Sequence, residues 1–185
     1  MLRDATFTDV SRLDEACDAS AAFLMDEEAF RGFYDRTARG LWVYLARVTG
    51  DRQMADDLLQ ETFYRFLRAA ATYDSEAHRR NSLYRIATNL ARDARRRKLA
   101  RPAGPVGDEI ERVSGGDHRS ATEQITDFTR AMSRLKPRER AMLWLAYAEG
   151  ASHREIAGVL GLQPASMKFL LFRARRKLAD LLGRR

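Results

Sequence analysis

The sequence predicts an all-α protein of two small helical domains joined by a flexible linker, the second domain containing a helix-turn-helix. Three observations predict it. Apolar residues recur at three- and four-residue steps almost throughout the chain, the period of an amphipathic helix. No stretch of alternating β-branched residues bounded by turn signals is long enough to argue for a sheet. The helical pattern breaks over residues 99–119, LARPAGPVGDEIERVSGGDHR, where Pro102, Pro105, Gly104, Gly107, Gly115 and Gly116 collect, as in a linker. A length of 185 residues accommodates two small domains. The boundaries expected are an acidic N-terminal extension over 1–25, a helical domain over 26–98, the linker over 99–119 and a second domain over 120–185.

In the first domain, Phe30, Phe33, Tyr34, Leu41, Leu45 and Val48 form one buried stripe on a helix that stops near Gly50. Asp51 then offers an N-cap to a second helix that buries Ala55, Leu58, Leu59, Thr62, Phe63, Phe66 and Leu67. That choice of buried face leaves Asp57, Glu61 and Tyr64 on the opposite side, flanked by Asp56 and Gln60. A polar loop, TYDSEAHRR, precedes a third helix that buries Leu83, Ile86, Ala87, Leu90 and Ala94 and leaves Arg85, Asn89, Arg92, Arg95 and Arg96 for other faces. One helix thus carries an acidic surface and the next a cationic one, which suits two unlike partners.

The second domain opens with Ser120 and Glu123 at capping-box spacing, followed by Ile125, Phe128, Met132 and Leu135 as the buried stripe. Pro137 suits the first turn of the following helix, which carries Ala141, Met142, Leu145 and Tyr147 and stops at Gly150. Ser152 and Glu155 repeat the capping-box spacing before a short helix with Ile156, Ala157 and Leu160 inward. Gly161 closes it, Leu162 and Gln163 lead into Pro164, and a longer basic helix follows. A short helix, a three-residue turn containing glycine and a longer basic helix form a helix-turn-helix whose second helix fits a DNA major groove.

Charge points to the partner. The formal net charge is +7, but residues 1–30 hold two basic and eight acidic side chains, leaving −6 there and +13 in the remainder. A positive body releases counterions from a polyanion, so nucleic acid is the leading partner and a solvated basic surface the bland alternative. A hydrophobic fraction of 45% beside 32% charged residues is enough to bury cores. The single cysteine, Cys17, allows no intrachain disulfide, no apolar run approaches a membrane span, and the start, MLRDATFTDVSRLDE, has acidic residues that a signal peptide lacks. A cytoplasmic protein is expected. His78, His118 and His153 are scattered, Cys17 has no histidine near it in sequence, and no glycine-rich phosphate loop or nucleophile elbow is present. No intrinsic catalysis, cofactor or metal is expected.

Three segments carry a family resemblance. DDLLQETFYRFLR at 56–68 resembles the polymerase-binding helix of the second conserved region of sigma factors, and LYRIATNLARDARRRK at 83–98 resembles the promoter-reading helix after it. LKPRERAMLWLAYAEGASHREIAGVLGLQPASMKFLLFRARRKL at 135–178 is similar to the fourth conserved region with its helix-turn-helix. The chain is identified as a member of the extracytoplasmic-function (ECF) sigma factors of the sigma-70 family, which implies a non-catalytic subunit that directs core RNA polymerase to promoter DNA. The resemblance implies that Asp56, Asp57, Gln60 and Glu61 face core polymerase. It implies a minus-ten contact through Arg79, Arg80, Asn81, Tyr84, Arg85, Asn89, Arg92, Arg95 and Arg96, with Tyr73 and Tyr84 as groups on which unpaired bases stack and Tyr84 alternatively a core residue. For the minus-thirty-five element it implies Gln163, Ala165, Ser166, Lys168 and Phe169 toward base edges, Phe172 as a further contact, and Arg173, Arg175 and Arg176 toward phosphates.

The chain departs from the family pattern at Ser82, where relatives usually carry a tryptophan, and at Arg79, where an aromatic is common. Phe169, Leu170 and Phe172 occupy positions more often polar or basic. Contact with a thymine methyl and packing against another surface, such as an anti-sigma factor or a polymerase element, are both open readings of those side chains. The competing function is a helix-turn-helix transcriptional regulator that does not join polymerase, a reading that leaves DDLLQETFYRFLR unexplained.

Overall fold

The computed structural model describes residues 26–69, 71–100 and 119–183, and the side chains of the second unit from residue 126 onward. The acidic extension over 1–25 and most of the expected linker therefore lie outside the described residues. Among those described there are seven helices and no strand. They are α1 (Glu27–Thr49), α2 (Arg52–Arg68), α3 (Glu76–Ala100), α4 (Arg119–Ser133), α5 (Pro137–Tyr147), α6 (His153–Leu160) and α7 (Pro164–Gly183).

Local chemistry sets most of the ends. Asp26 caps α1 by accepting the Ala29 N–H at 2.7 Å, and Asp51 caps α2 by accepting from Met54 N at 3.0 Å. Gly50 joins the two helices at φ 75, where its N–H reaches back to the Ala46 carbonyl; a side chain there would be strained. Leu41, Tyr44 and Leu45 of α1, Leu58, Phe63 and Phe66 of α2, and Leu83, Ala87 and Leu90 of α3 close the first core. Phe66 lies between Phe33 and Tyr73, with ring centroids at 5.3 and 5.4 Å and planes 21° and 10° apart. The buried threonines of this core are satisfied, whereas the Tyr73 hydroxyl and Arg79 Nε beside the ring stack are buried with no hydrogen-bond partner. Thr37, Thr62 and Thr88 each donate to the carbonyl four residues earlier, at 2.7, 2.6 and 2.7 Å, and the Tyr44 and Thr88 hydroxyls are 2.6 Å apart. Burial pushes the Tyr44 hydroxyl up to about 12, a rise that the Thr88 bond and Arg92 oppose.

Helix α3 begins earlier than the sequence pattern indicated. TYDSEAHRR was expected as a polar loop, yet Ser75 accepts the His78 N–H at 3.1 Å through its hydroxyl and the Arg79 N–H at 3.0 Å through its carbonyl. The helix starts at Glu76, so Arg79 and Arg80 of that stretch lie on a helix and not in a loop, with Asn81 one position further along it. The cue was a serine N-cap followed by an acidic first-turn residue. At its other end α3 runs to Ala100, two residues into the stretch expected as linker.

In the second unit α4 already includes Ser120, so that serine lies within the helix and not ahead of it. The expected partner of its capping box, Glu123, has a side chain outside the described residues, as does Ile125. Met132 and Leu135 are buried as expected, whereas Phe128 is exposed. Lys136 N–H donates to Glu139 Oε2 at 2.8 Å at the start of α5, with Pro137 in the first position. The capping box of α6 forms as its spacing predicts: Ser152 N–H donates to Glu155 Oε2 at 2.8 Å, and Glu155 N–H to Ser152 Oγ at 3.3 Å. Gly161 at φ 64 turns the chain from α6 toward α7. Ile156, Ala157, Val159 and Leu160 then pack with Met167, Leu171 and Ala174 of α7.

Candidate nucleic-acid and polymerase interfaces

The acidic face of α2 is held by its neighbours. Trp42 Nε1 donates to Asp56 Oδ1 at 2.6 Å, and Arg65 Nε to Glu61 Oε1 at 2.6 Å. Asp57 and Gln60 project beside them, both exposed. Tyr64 is exposed one turn on, its hydroxyl accepting from Arg68 while the Arg68 guanidinium lies 5.5 Å over the ring. The result is an oriented carboxylate and amide surface with an aromatic at its edge. Trp42 was not among the residues singled out in the sequence, because its tie to Asp56 joins two helices.

The nine residues expected to read the minus-ten element divide into two groups. Arg85, Asn89, Arg92, Arg95 and Arg96 are exposed. Of these, Arg85, Asn89, Arg92 and Arg96 repeat at four, three and four residues, one stripe along α3. Arg92 donates to Asn89 at 2.6 Å, and Arg96 to Asp93 at 3.0 Å. The other four are engaged inside the fold. Arg79 is half-buried with its guanidinium 5.9 Å from the Phe33 and Tyr73 ring centres, which props the aromatic stack. Tyr84 is only 2% exposed and meets Tyr44 edge-on at 5.1 Å. In this arrangement its ring is core and offers no stacking platform. Ser82, at the position where relatives carry an aromatic, is buried as well.

Asn81 and Tyr84 meet the second unit, whose placement the sequence left open, and Arg80 is half-buried with its charge near Glu155. Helix α3 packs on α6, and α1 on α5. Across the seam Asn81 Nδ2 donates to Glu155 Oε1 at 2.7 Å, and Arg140 to the Val48 carbonyl at 3.3 Å near the C-terminus of α1, the negative end of its dipole. Arg47 stacks 5.4 Å over Trp144, whose Nε1 donates to Glu149 Oε1 at 3.2 Å. Burial and then the hydrogen-bonded Glu149 carboxylate push the Tyr84 hydroxyl well above its ordinary value. Burial likewise lowers Arg47, and burial with Arg95 nearby lowers Arg140. The Glu155 carboxyl is held below the usual range by the Ser152 hydroxyl and N–H, by Asn81 and by nearby Arg80, against a small opposing effect of burial.

The helix-turn-helix sets α7 with Met167, Leu171 and Ala174 inward. Ala165, Phe169, Phe172 and Arg176, spaced four, three and four residues apart, therefore line its outer face. Gln163, Ser166, Lys168, Arg173 and Arg175 are exposed around that stripe, and the Arg173 guanidinium lies 5.6 Å over the Phe169 ring. All nine residues expected at the minus-thirty-five element are thus on the surface. Among the described residues no group of three or more His, Cys, Asp or Glu side chains could hold a metal ion, and no helix is long and apolar enough to cross a membrane.

A helical unit with one acidic and one cationic face, followed by a helix-turn-helix unit, defines a DNA-directed helical protein of two parts. Sequence profiles narrow the class. Sigma-70 region 2 matches residues 33–101, and Sigma-70, region 4 matches residues 125–178. The ECF RNA polymerase sigma factor SigL of Mycobacterium tuberculosis is 30% identical over 176 residues, covering 91% of this chain and 94% of the relative. ECF RNA polymerase sigma factor SigE of Mycolicibacterium smegmatis is 30% identical over 177 residues, covering 92% of this chain and 66% of that longer relative. Among solved structures, the sigma factor RpoE in complex with the anti-sigma factor NepR from Bartonella quintana superposes with a TM-score of 0.64 at 20% identity, over 84% of this chain and 98% of that one. The chain belongs to the ECF sigma factors of the sigma-70 family.

Proposed function

We propose that this sigma factor seats the face formed by Asp56, Asp57, Gln60 and Glu61 on core RNA polymerase and directs the enzyme to promoters as a cytoplasmic, non-catalytic subunit. The observation that carries the reading is the separation of charge: the carboxylates project from α2, while the cationic stripes run along α3 and α7. The stripe of Arg85, Asn89, Arg92 and Arg96 follows the minus-ten strand by backbone charge, and the outer face of α7 enters the major groove of the minus-thirty-five element. Asn81 joins the minus-ten contact only when α3 and α6 separate, so loading on an open promoter breaks the Asn81–Glu155 bond. The binding of an anti-sigma factor by the RpoE relative makes a protein inhibitor a partner of the same kind here. Units spanning 26–98 and 120–185 act as the two DNA-facing modules.

The test is reconstituted transcription. Purified chain added to core polymerase should produce promoter-dependent transcripts from genomic fragments. Asp57→Arg should weaken core association more than about tenfold, the size of one lost and reversed charge contact at a protein interface, while leaving binding to duplex DNA intact. Specific duplex binding without core association by the unaltered chain would transfer the reading to a free-standing DNA-binding regulator.

A further inference from the structure

The outer stripe of α7 is chemically odd for a surface that meets DNA. Phe169 and Phe172 are 60% and 52% exposed, though neither has a donor or acceptor with which to read a base edge. They stand opposite Met167, Leu171 and Ala174, so the fold aims them away from its own core. Cations surround them: Lys168, Arg173, Arg175 and Arg176. The Arg173 guanidinium also lies 5.6 Å over the Phe169 ring, which stays largely open to solvent. A cationic collar around an apolar centre complements a surface whose rim is phosphate and whose floor carries an apolar group.

In the major groove only thymine presents such a group, its C5 methyl. We propose that Phe169, with Phe172 beside it, selects thymine in the minus-thirty-five element by burying thymine methyls, and that the surrounding arginines hold the phosphates on either side. Phe169 lies in the second turn of α7, within the N-terminal part of a recognition helix that approaches base edges; Arg175 and Arg176 lie further along, where the helix leaves the bases for the backbone. The assignment makes Phe169 a specificity-determining residue, and it rests on the proposed function, because it needs α7 to enter a promoter.

Thymine and uracil differ in this groove by the methyl alone, so the experiment replaces deoxythymidine with deoxyuridine. Transcript mapping with holoenzyme first locates a promoter; its minus-thirty-five duplex is then synthesised with each thymine changed to uracil in turn. Holoenzyme should bind about fourfold more weakly for each methyl removed from the Phe169 contact, the effect of exposing one buried carbon. Phe169→Ala should bind the thymine duplex that much more weakly and be indifferent to uracil. Arg176→Ala should weaken both duplexes equally, since a phosphate contact carries no base information. Circular dichroism of Phe169→Ala checks that α7 still folds, and Phe172→Ala supplies a second, equally exposed substitution.

Promoter-dependent initiation with no uracil effect at any position overturns the thymine assignment and leaves the sigma function standing. A uracil effect that persists in both Phe169→Ala and Phe172→Ala also overturns it. Loss of core polymerase or of a bound protein by Phe169→Ala, with no change in the uracil response, assigns the stripe to a protein contact instead. Absence of initiation from every promoter defeats the functional reading and the thymine assignment together.

Discussion

Replacing Phe66 with alanine tests how the first unit holds the segment that leads into α3. Phe66 is 4% exposed and is the middle ring of three, with Phe33 on one side and Tyr73 on the other. Removing it forfeits the transfer free energy of a buried aromatic side chain and opens a cavity, together about 3–5 kcal/mol. Two ring pairs, each about 0.5–1.5 kcal/mol, are contained in that loss. Tyr73 and Arg79 lean on the same stack, so the segment entering α3 should loosen along with the core. Phe66→Leu keeps an apolar group in place and loses mainly the ring pairs and a small volume, so it should cost roughly 1–3 kcal/mol. Urea denaturation of both variants, followed by far-ultraviolet circular dichroism, measures the difference. A loss under about 1 kcal/mol for Phe66→Ala, or equal losses for the two variants, would refute the claim that stacking anchors this segment.

Three further outcomes follow from the geometry. Ser152→Ala removes one half of the α6 capping box and should destabilise the second unit by about 1 kcal/mol, read as faster amide exchange in the first turn of α6. Glu155 titrates below the ordinary carboxylate range in the folded chain, so the stability it contributes is present above the unfolded value and is lost as pH falls through the depressed one. Glu155→Gln should therefore flatten the acid limb of the stability curve below about pH 4.5, the ordinary carboxylate region. Arg175→Ala and Arg176→Ala should each reduce the salt dependence of duplex binding by about one counterion, with the same loss on promoter and random DNA in a titration over ionic strength.

How much could be read beforehand differs between levels of structure. The caps at Asp51 and at Ser152 with Glu155, and the glycine stops at Gly50 and Gly161, were legible because each involves residues within a few positions of one another. The buried stripes were legible for the same reason: a helix brings every third or fourth side chain to one face, so Phe33, Leu41 and Leu45, or Ile156, Ala157 and Leu160, declare themselves by spacing. The early start of α3 at Ser75 was equally local, yet its run of polar residues resembles a loop, and only the observed cap resolves it. The candidate interfaces followed the same division: the outer residues of α7 could be placed from the sequence, whereas four of the nine on α3 could not.

The sequence by itself determined the helical class, most of the inward faces, the two-unit order and the family, since periodicity, capping and motif identity are carried by neighbours along the chain, although Tyr34 and Phe128, expected inward, are exposed. Only the tertiary structure decided that Trp42 holds Asp56, that Arg79 props an aromatic stack, and that Tyr84 lies inside a seam with Asn81 bonded to Glu155. The two hydrogen-bonded pairs of that set stand 14 and 74 residues apart in the chain. Their meeting depends on which helix faces fit together and on where buried polar groups find a partner, a condition met jointly by distant segments and written in no single one.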